Sequence, residues 1–402
     1  MPRSVVIVGA LDTKGEEFSF LRDLIQAHGL NTVVVDFGVL GDPLFEPDIS
    51  NGEVARAGGG SIEELRASQD KSAAMRTMSD GLVQVVADLH ESGQLDGIVS
   101  MAGGGGTSLA TAAMRGLPVG VPKVMVSTLA AGDISPYVGT RDITFMPSVV
   151  DVAGLNSISR RIYANAAGAI AGMVSQDVPE VQETRPLITA SMFGNTTQAV
   201  DHARSILEDK GYEVLVFHAT GTGGRTMEDL IADGFITANL DMTTTELADE
   251  VCGGVLSAGP DRLMASARAG IPTVLVPGCV DMANFQGIGT VPEKYRDRQL
   301  YEWNPDVTLL RTNDEENAKM GQMIARAANA SGGPVAVIIP LKGVSMLDSP
   351  GGDFWDPAAD QACFDAIKQD LKPEIPVVEM DHNINDPEFS GKVAEVLLEM
   401  LT

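Results

Sequence analysis

Cysteine is scarce in this 402-residue chain: three residues, Cys252, Cys279 and Cys363. They are too few and too scattered for a disulfide framework, and they fit a reducing compartment. Positive charge is short as well. Twenty-eight Lys and Arg face 55 Asp and Glu, for a net charge of −27. A nucleic-acid polymer is held by a basic face that releases counterions. None is visible, so that partner class is excluded, and an acidic membrane surface is disfavoured on the same ground. Long hydrophobic runs are missing too: no apolar stretch reaches the roughly 18 residues of a spanning helix. The opening MPRSVVIVGALD runs into a strand without the apolar region of a signal peptide, so a cytoplasmic location is expected. Histidine is thin: His28, His90, His202, His218 and His382 show no ligand spacing with one another or with a cysteine. That speaks against a zinc site.

What is present is enough apolar residue, 44% of the chain, for sizeable cores. At roughly 100–200 residues per domain the length suggests two or three domains. The chain opens with an apolar, β-branched run over residues 4–9, then a polar loop over 10–15. Phe18, Leu21, Leu24 and Ile25 follow at helical spacing, Gly29 stops the helix, and residues 32–36 read as a buried strand. A continuous apolar strand after a crossover helix points to a parallel sheet covered on both faces. The second half repeats the shape: strand 187–190, loop 191–195, helix 196–210, Gly211, strand 213–217. GVPKVMV at 120–126 matches GIPTVLV at 270–276. The expected architecture is therefore two Rossmann-like, doubly wound α/β domains, 1–178 and 179–402, joined by the acidic, aperiodic segment 175–185. An Ala-rich helix is expected before that joint, packed on its own sheet or across a dimer. A C-terminal helix over 387–401 could return to the first domain.

Strand 97–101 runs into Gly103, Gly104, Gly105, Gly106 and Thr107 ahead of a helix. Glycines there let backbone amides approach an anion, and the helix N-terminus adds positive potential. The alternative is a flexible turn with an ordinary cap. Asp12, Thr13 and Lys14 sit at the carboxyl end of the first strand, where open α/β sheets bind ligands. Lys14 is a cation at a helix start, which the helix dipole disfavours, and that mismatch suggests an anionic ligand. Asp12 could hold a metal or a ribose hydroxyl, and Asp36 ends the second strand in the usual ribose position. Against this, the Walker A order is absent and neither glycine segment completes Gly-x-Gly-x-x-Gly. In the second half, Gly221, Thr222, Gly223, Gly224 and Arg225 form a second strand-to-helix glycine loop. Arg225 could fork onto a carboxylate or phosphate. Thr243 to Glu246 has the spacing of a capping box. Asp241 and Asp281, at strand ends, could meet in one cleft as acid/base or metal groups, with Arg262, Arg296 and Lys342 as lesser candidate cations.

Taken in order, GALDTKGEE (9–17), GGGGT (103–107), SVVDVAGLN (148–156), GTGGRTMEDL (221–230), LDMTTTE (240–246) and VPEKYRDRQLYEWNP (291–305) span almost the whole chain. As a set they resemble the tomato mosaic virus resistance protein ATP-binding domain family and its uncharacterised bacterial relatives. The resemblance implies two Rossmann-like domains, ATP binding and a homodimer. It also implies a TIM-barrel partner resembling phosphoenolpyruvate hydrolases, fused in the plant proteins and separate in bacteria. ATP contacts carry over to Asp12, Thr13, Lys14 and residues 103–107. The family pattern leads one to expect His before Asn-Pro in the last segment, where this chain has Trp303.

Three functions remain open. The first is an ATP-using enzyme, with Mg2+, acting on a small acidic metabolite, with Arg225 as clamp and Asp241 or Asp281 as base. The second is a non-catalytic nucleotide-binding module that regulates or dimerises. The third is an NAD(P)-dependent enzyme.

Overall fold

The computed structural model describes residues 3–68, 70–177 and 184–402. The chain forms two compact units, Met1–Glu180 and Val181–Thr402. The acidic joint expected at 175–185 lies largely outside the described residues.

In the first unit, strands β1 (Ser4–Gly9), β2 (Asn31–Asp36), β3 (Gly97–Ala102), β4 (Lys123–Ser127) and β5 (Thr144–Pro147) pair in parallel in the order β2-β1-β3-β4-β5. Successive side chains on a strand point to opposite faces. Val5 and Ile7 accordingly pack with Phe18, Leu21, Tyr163 and Ile170 on one face. Val6 and Val8 pack with Leu82, Val86, Ala110 and Met114 on the other. Helices Leu11–Ala27 and Ser159–Ser175 cover the first face, and helices Lys71–Glu91 and Gly104–Arg115 the second. The Ala-rich helix turns Tyr163, Ala166, Ala167, Ile170, Ala171 and Val174 inward, onto its own sheet.

The second unit contributes β6 (Leu187–Met192), β7 (Glu213–His218), β8 (Ala238–Asp241), β9 (Thr273–Leu275), β10 (Met282–Phe285), β11 (Leu300–Asn304), β12 (Val307–Arg311), β13 (Val335–Pro340) and β14 (Val377–Met380). Six of these form a parallel sheet in the order β14-β13-β9-β8-β6-β7. The other three form an antiparallel sheet, β10-β12-β11, which the apolar pattern did not signal. Counted in chain order within each sheet, both parallel sheets run 2-1-3-4-5, the second adding a sixth strand. The two Gly-x-Pro segments each precede the fourth strand, β4 and β9. The C-terminal helix Pro387–Met400 stays in the second unit, where Phe389, Val393 and Leu397 share a core with Val200 and Leu207. No described helix is long and apolar enough to cross a membrane.

One local expectation changes. The loop expected over 10–15 is already helix from Leu11, with a departure from helical geometry at Lys14 (φ −133°, ψ 22°). The cap is supplied from a distant strand, since the Leu11 amide donates to Asp36 Oδ1 at 3.0 Å. The stop at Gly29 stands, with φ 81°, the left-handed C′ conformation glycine adopts without penalty.

Candidate functional site

In a 2-1-3-4-5 sheet the connections leave β1 and β3 toward opposite sides. The crevice outside their carboxyl ends is the switch point where α/β folds bind ligands. The first unit has a cavity of about 800 Å3 there. Its wall takes Ala10, Asp12, Thr13 and Lys14 from the end of β1, Gly103, Gly104, Gly105 and Gly106 from the end of β3, and Phe37, Val39 and Leu40 from the end of β2. Helices Ile62–Ser68 and Lys71–Glu91 close it with Leu65, Ala74, Met75 and Met78.

The glycines form the N-terminus of helix Gly104–Arg115, with Gly103 as N-cap and no side chain capping it. The first amides of a helix have no partner within it, so they are presented to the cavity. None of the four glycines has a positive φ. A Cβ on Gly103, Gly104 or Gly105 would meet nothing closer than 3.8 Å, whereas on Gly106 it would come within 2.7 Å of Ala102. The fold thus requires glycine at 106 alone. Thr107 does not join the wall. It is buried, with its hydroxyl 2.7 Å from Ser127 Oγ, so its expected phosphate contact is corrected to a packing role.

Thr13 is exposed to the cavity. Lys14 is also a wall residue, and its ammonium donates to the Val152 carbonyl. Asp12 Oδ2 accepts from the Leu40 and Gly41 amides at 2.7 and 3.0 Å, while its Oδ1 is buried without a partner. Asp36 is off the wall and fully buried, its Oδ1 accepting from Leu11 and Gly38. Burial pushes its carboxyl above the usual range, against those two amides. The expected ribose contact is therefore corrected: Asp36 fastens the β1 turn. Arg66 and Lys71, which sequence reading passed over, add two cations to the wall, with Arg66 Nε donating to Val39 O at 3.0 Å.

The second glycine loop follows β7, the second strand of its sheet, so it is not the counterpart of the first. It is an anion nest, but the anion is the chain's own. Gly221 and Gly224 amides donate to Glu246 Oε1 at 2.7 and 3.0 Å. A Cβ on Gly224 would lie 2.1 Å from Glu246 Oε2. Arg225 is tied to Ser257 O at 3.0 Å. The expected substrate site at residues 221–225 is thus filled from within, and Glu246 does not cap its own helix. Arg262, buried, grips Glu246 at 2.6 Å and Asp241 through both terminal nitrogens at 2.6 Å, with Glu228 at 3.2 Å. Burial works against its charge, but Asp241, Glu246 and Glu228 outweigh it and hold the guanidinium well above its ordinary value. Asp241, fully buried and doubly paired, is corrected from a base to an ion-pair anchor.

Asp281 lies in a different cluster, so the two aspartates do not share a cleft. Its Oδ2 accepts from Ser345 Oγ at 2.8 Å and its Oδ1 is buried without a partner. Arg311 reaches Asp360 at 2.7 Å and Asp348 at 3.6 Å. Burial, then the charge of Asp348, raises Asp281 to about 7 and Asp360 to about 9. Full burial bars Asp281 from substrate as well. The neighbouring Cys279 adopts φ 57° and is fully buried, its thiol pushed well up by burial. Lys342 pairs with Asp381 at 2.8 Å, and Trp303 stands 43% exposed on β11.

Among solved structures the chain is similar to a UDP-N-acetylglucosamine 2-epimerase of Neisseria meningitidis, at 10% identity over 68% of this chain and 82% of that one, with a TM-score of 0.24. It is also similar to MurG of Acinetobacter baumannii, at 9% identity over the full length of both chains and a TM-score of 0.22. At those scores the likeness carries no argument. Sequence relatives are far nearer. A UPF0261 protein of Clostridium tetani is 50% identical over the full length of both chains. One of Mesorhizobium japonicum is 44% identical over 98% of each. The tomato ToMV resistance protein Tm-1 is 40% identical over 334 residues, which are 81% of this chain and 44% of that protein. The N-terminal domain model of the uncharacterised protein family UPF0261 matches residues 3–179 and its C-terminal domain model matches residues 185–401. The chain belongs to the UPF0261 family.

Proposed function

We propose that the first unit binds ATP in the cavity at the β1/β3 switch point. The observation that carries this reading is the glycine turn. Glycine inside a helix costs about 1 kcal/mol relative to alanine. Gly104 and Gly105 accept such a cost in ordinary backbone conformations, although a Cβ on either would meet nothing closer than 3.8 Å. What they keep clear is the approach to an uncapped helix N-terminus, which suits a phosphate. Lys14, Arg66 and Lys71 supply local positive charge, and the apolar wall of Phe37, Val39, Met75 and Met78 suits a base. Mg2+ bound with phosphates takes one or two protein carboxylates. Asp12, with its unpartnered Oδ1, is the fitting group on the wall. The metal would neutralise phosphate charge there. An NAD(P) reading loses its support, because Asp36, the carboxylate at the ribose position, is turned inward.

The non-catalytic use of the nucleotide, regulation or dimerisation, is favoured by one observation. Both expected bases, Asp241 and Asp281, are fully buried and off the cavity wall. Turnover of a small acidic substrate would have to take its base from Asp12 or Asp70, the carboxylates on the wall. A second copy and a TIM-barrel protein are the partners that go with this reading. The three buried, unpaired cysteines suit a cytoplasmic setting. Isothermal calorimetry with ATP and Mg2+ tests the reading. One site per chain is expected, weakened at least tenfold in Lys14→Gln, the loss of about 1.4 kcal/mol that one charge-assisted hydrogen bond supplies. Absence of binding to the native chain would overturn it.

A further inference from the structure

Residues 148–158 connect β5 to helix Ser159–Ser175 as a strap across the first unit. Between 149 and 158 only Val152 is fully buried, set in the core with Val5, Ile7 and Leu11. Two polar contacts fasten the strap to helix Leu11–Ala27. The Lys14 ammonium donates to the Val152 carbonyl, and the Gly154 amide donates to the Glu17 carboxylate. A third contact links its start to the strand beneath the glycine helix. Ser148 N donates to Ser127 O at 3.1 Å, and Ser127 Oγ is the partner of Thr107.

Two features show that this position of the strap is held at a cost. Val149 adopts φ 63°, the left-handed region, although it is β-branched and 76% exposed, so no packing offsets the strain. Beneath the strap the Tyr163 hydroxyl is buried without a partner; burial raises its pKa to about 12, helped by Glu17 and Asp151. An unmade buried hydrogen bond costs more than a made one contributes.

Lys14 is the residue common to the strap and the cavity wall. Its partner in the strap is a neutral carbonyl, whereas a phosphate is an anion and adds charge attraction to the ammonium's hydrogen bond. We propose that a phosphate seated on the glycine turn draws the Lys14 ammonium off the Val152 carbonyl and releases the strap, so that residues 148–158 signal occupancy of the cavity. This rests on the reading of the cavity as a phosphate site. Released, Val149 relaxes from its left-handed backbone and the Tyr163 hydroxyl gains access to a partner.

Amide hydrogen exchange of the full chain, followed by mass spectrometry with calorimetry in parallel, tests this. With ATP and Mg2+, peptides from 148–158 are expected to exchange on the order of tenfold faster, the loss of one charge-assisted hydrogen bond, while glycine-turn peptides slow. Inorganic tripolyphosphate should reproduce the acceleration and adenosine should not. Lys14→Met should show fast exchange in the strap without ligand and no further change at ATP concentrations that calorimetry shows to saturate the variant. ATP that binds by calorimetry yet leaves 148–158 unchanged or slowed overturns the strap alone. ATP that does not bind overturns the phosphate site as well.

Discussion

At the residue scale, the two glycine loops carry the same letters for opposite reasons, and alanine separates them. Gly105→Ala adds a methyl group in the first turn of a helix, in ordinary contact at 3.8 Å from Met75 Cε. The ligand-free protein should be stabilised by about 0.5–1 kcal/mol, visible as a higher denaturation midpoint, while ATP binding weakens in calorimetry. A change that strengthens the fold and weakens a ligand identifies a position kept for the ligand. Gly224→Ala would drive its methyl into Glu246 and prise that carboxylate from Arg262. Breaking a buried pair costs about 3–5 kcal/mol, so this variant should lower the denaturation midpoint strongly or fail to accumulate. Equal effects at the two positions would show that neither loop has the role assigned to it.

At the element scale, the strand, glycine and helix order that builds the first cavity was legible in the sequence, because it is written within consecutive residues. Gly97–Ala102 reads as a buried strand, the glycines follow at once, and the switch point then fixes which end of the sheet they face. The second loop was misread because its occupant is far away in the chain. Glu246 is 22 and 25 residues from the glycines it fills, and its local spacing to Thr243 imitates a capping box. Only the pairing of β6 with β7 and β8 brings the carboxylate and the nest together. Asp36 was misread for a related reason. It stands where a ribose ligand would stand, yet the amides it serves are the chain's own, those of Leu11 and Gly38. The Arg311 cluster draws on segments around residues 281, 311, 348 and 360 and leaves no local signature.

That cluster makes the second unit sensitive to pH at the same scale. Burial, then the neighbouring charges, raises Asp281 to about 7 and Asp360 to about 9, and burial raises Asp249 to about 7. Folded, these carboxyls keep protons that the unfolded chain gives up near its ordinary carboxylate range. The folded state then binds more protons, and its stability falls as pH rises. The loss runs from about pH 4 through 7 and on toward 9. Acids held low, such as Asp142 and Glu316, have completed their contribution by about pH 5 and do not oppose this. Both tryptophans, Trp303 and Trp355, lie in the second unit, so intrinsic fluorescence follows its unfolding. Denaturant midpoints should fall steadily from pH 5.5 to pH 9. Asp360→Asn should flatten the stretch between pH 7 and 9, and a native profile that rises there would refute the assignment.

At the scale of the whole molecule, a net charge of −27 surrounds a cavity proposed for a polyanion. The long-range field repels ATP, while Lys14, Arg66, Lys71 and helix amides attract it only at close range. Salt acts on these two parts unequally. The Debye length is about 30 Å at 0.01 M and about 8 Å at 0.15 M, so added salt removes the repulsion at a distance before it weakens contacts inside the cavity. The association rate of ATP should therefore rise with ionic strength between those limits, by about two- to fivefold. A basic nucleotide-binding protein changes in the opposite direction. Mg2+ lowers the charge of the incoming ligand and should reduce the effect. Stopped-flow binding of a fluorescent ATP analogue, at fixed Mg2+ and varied KCl, reads the rate directly. A rate that falls with salt would place the recognition charge on the outer surface, and the amide turn would lose its standing as the main anion-binding element.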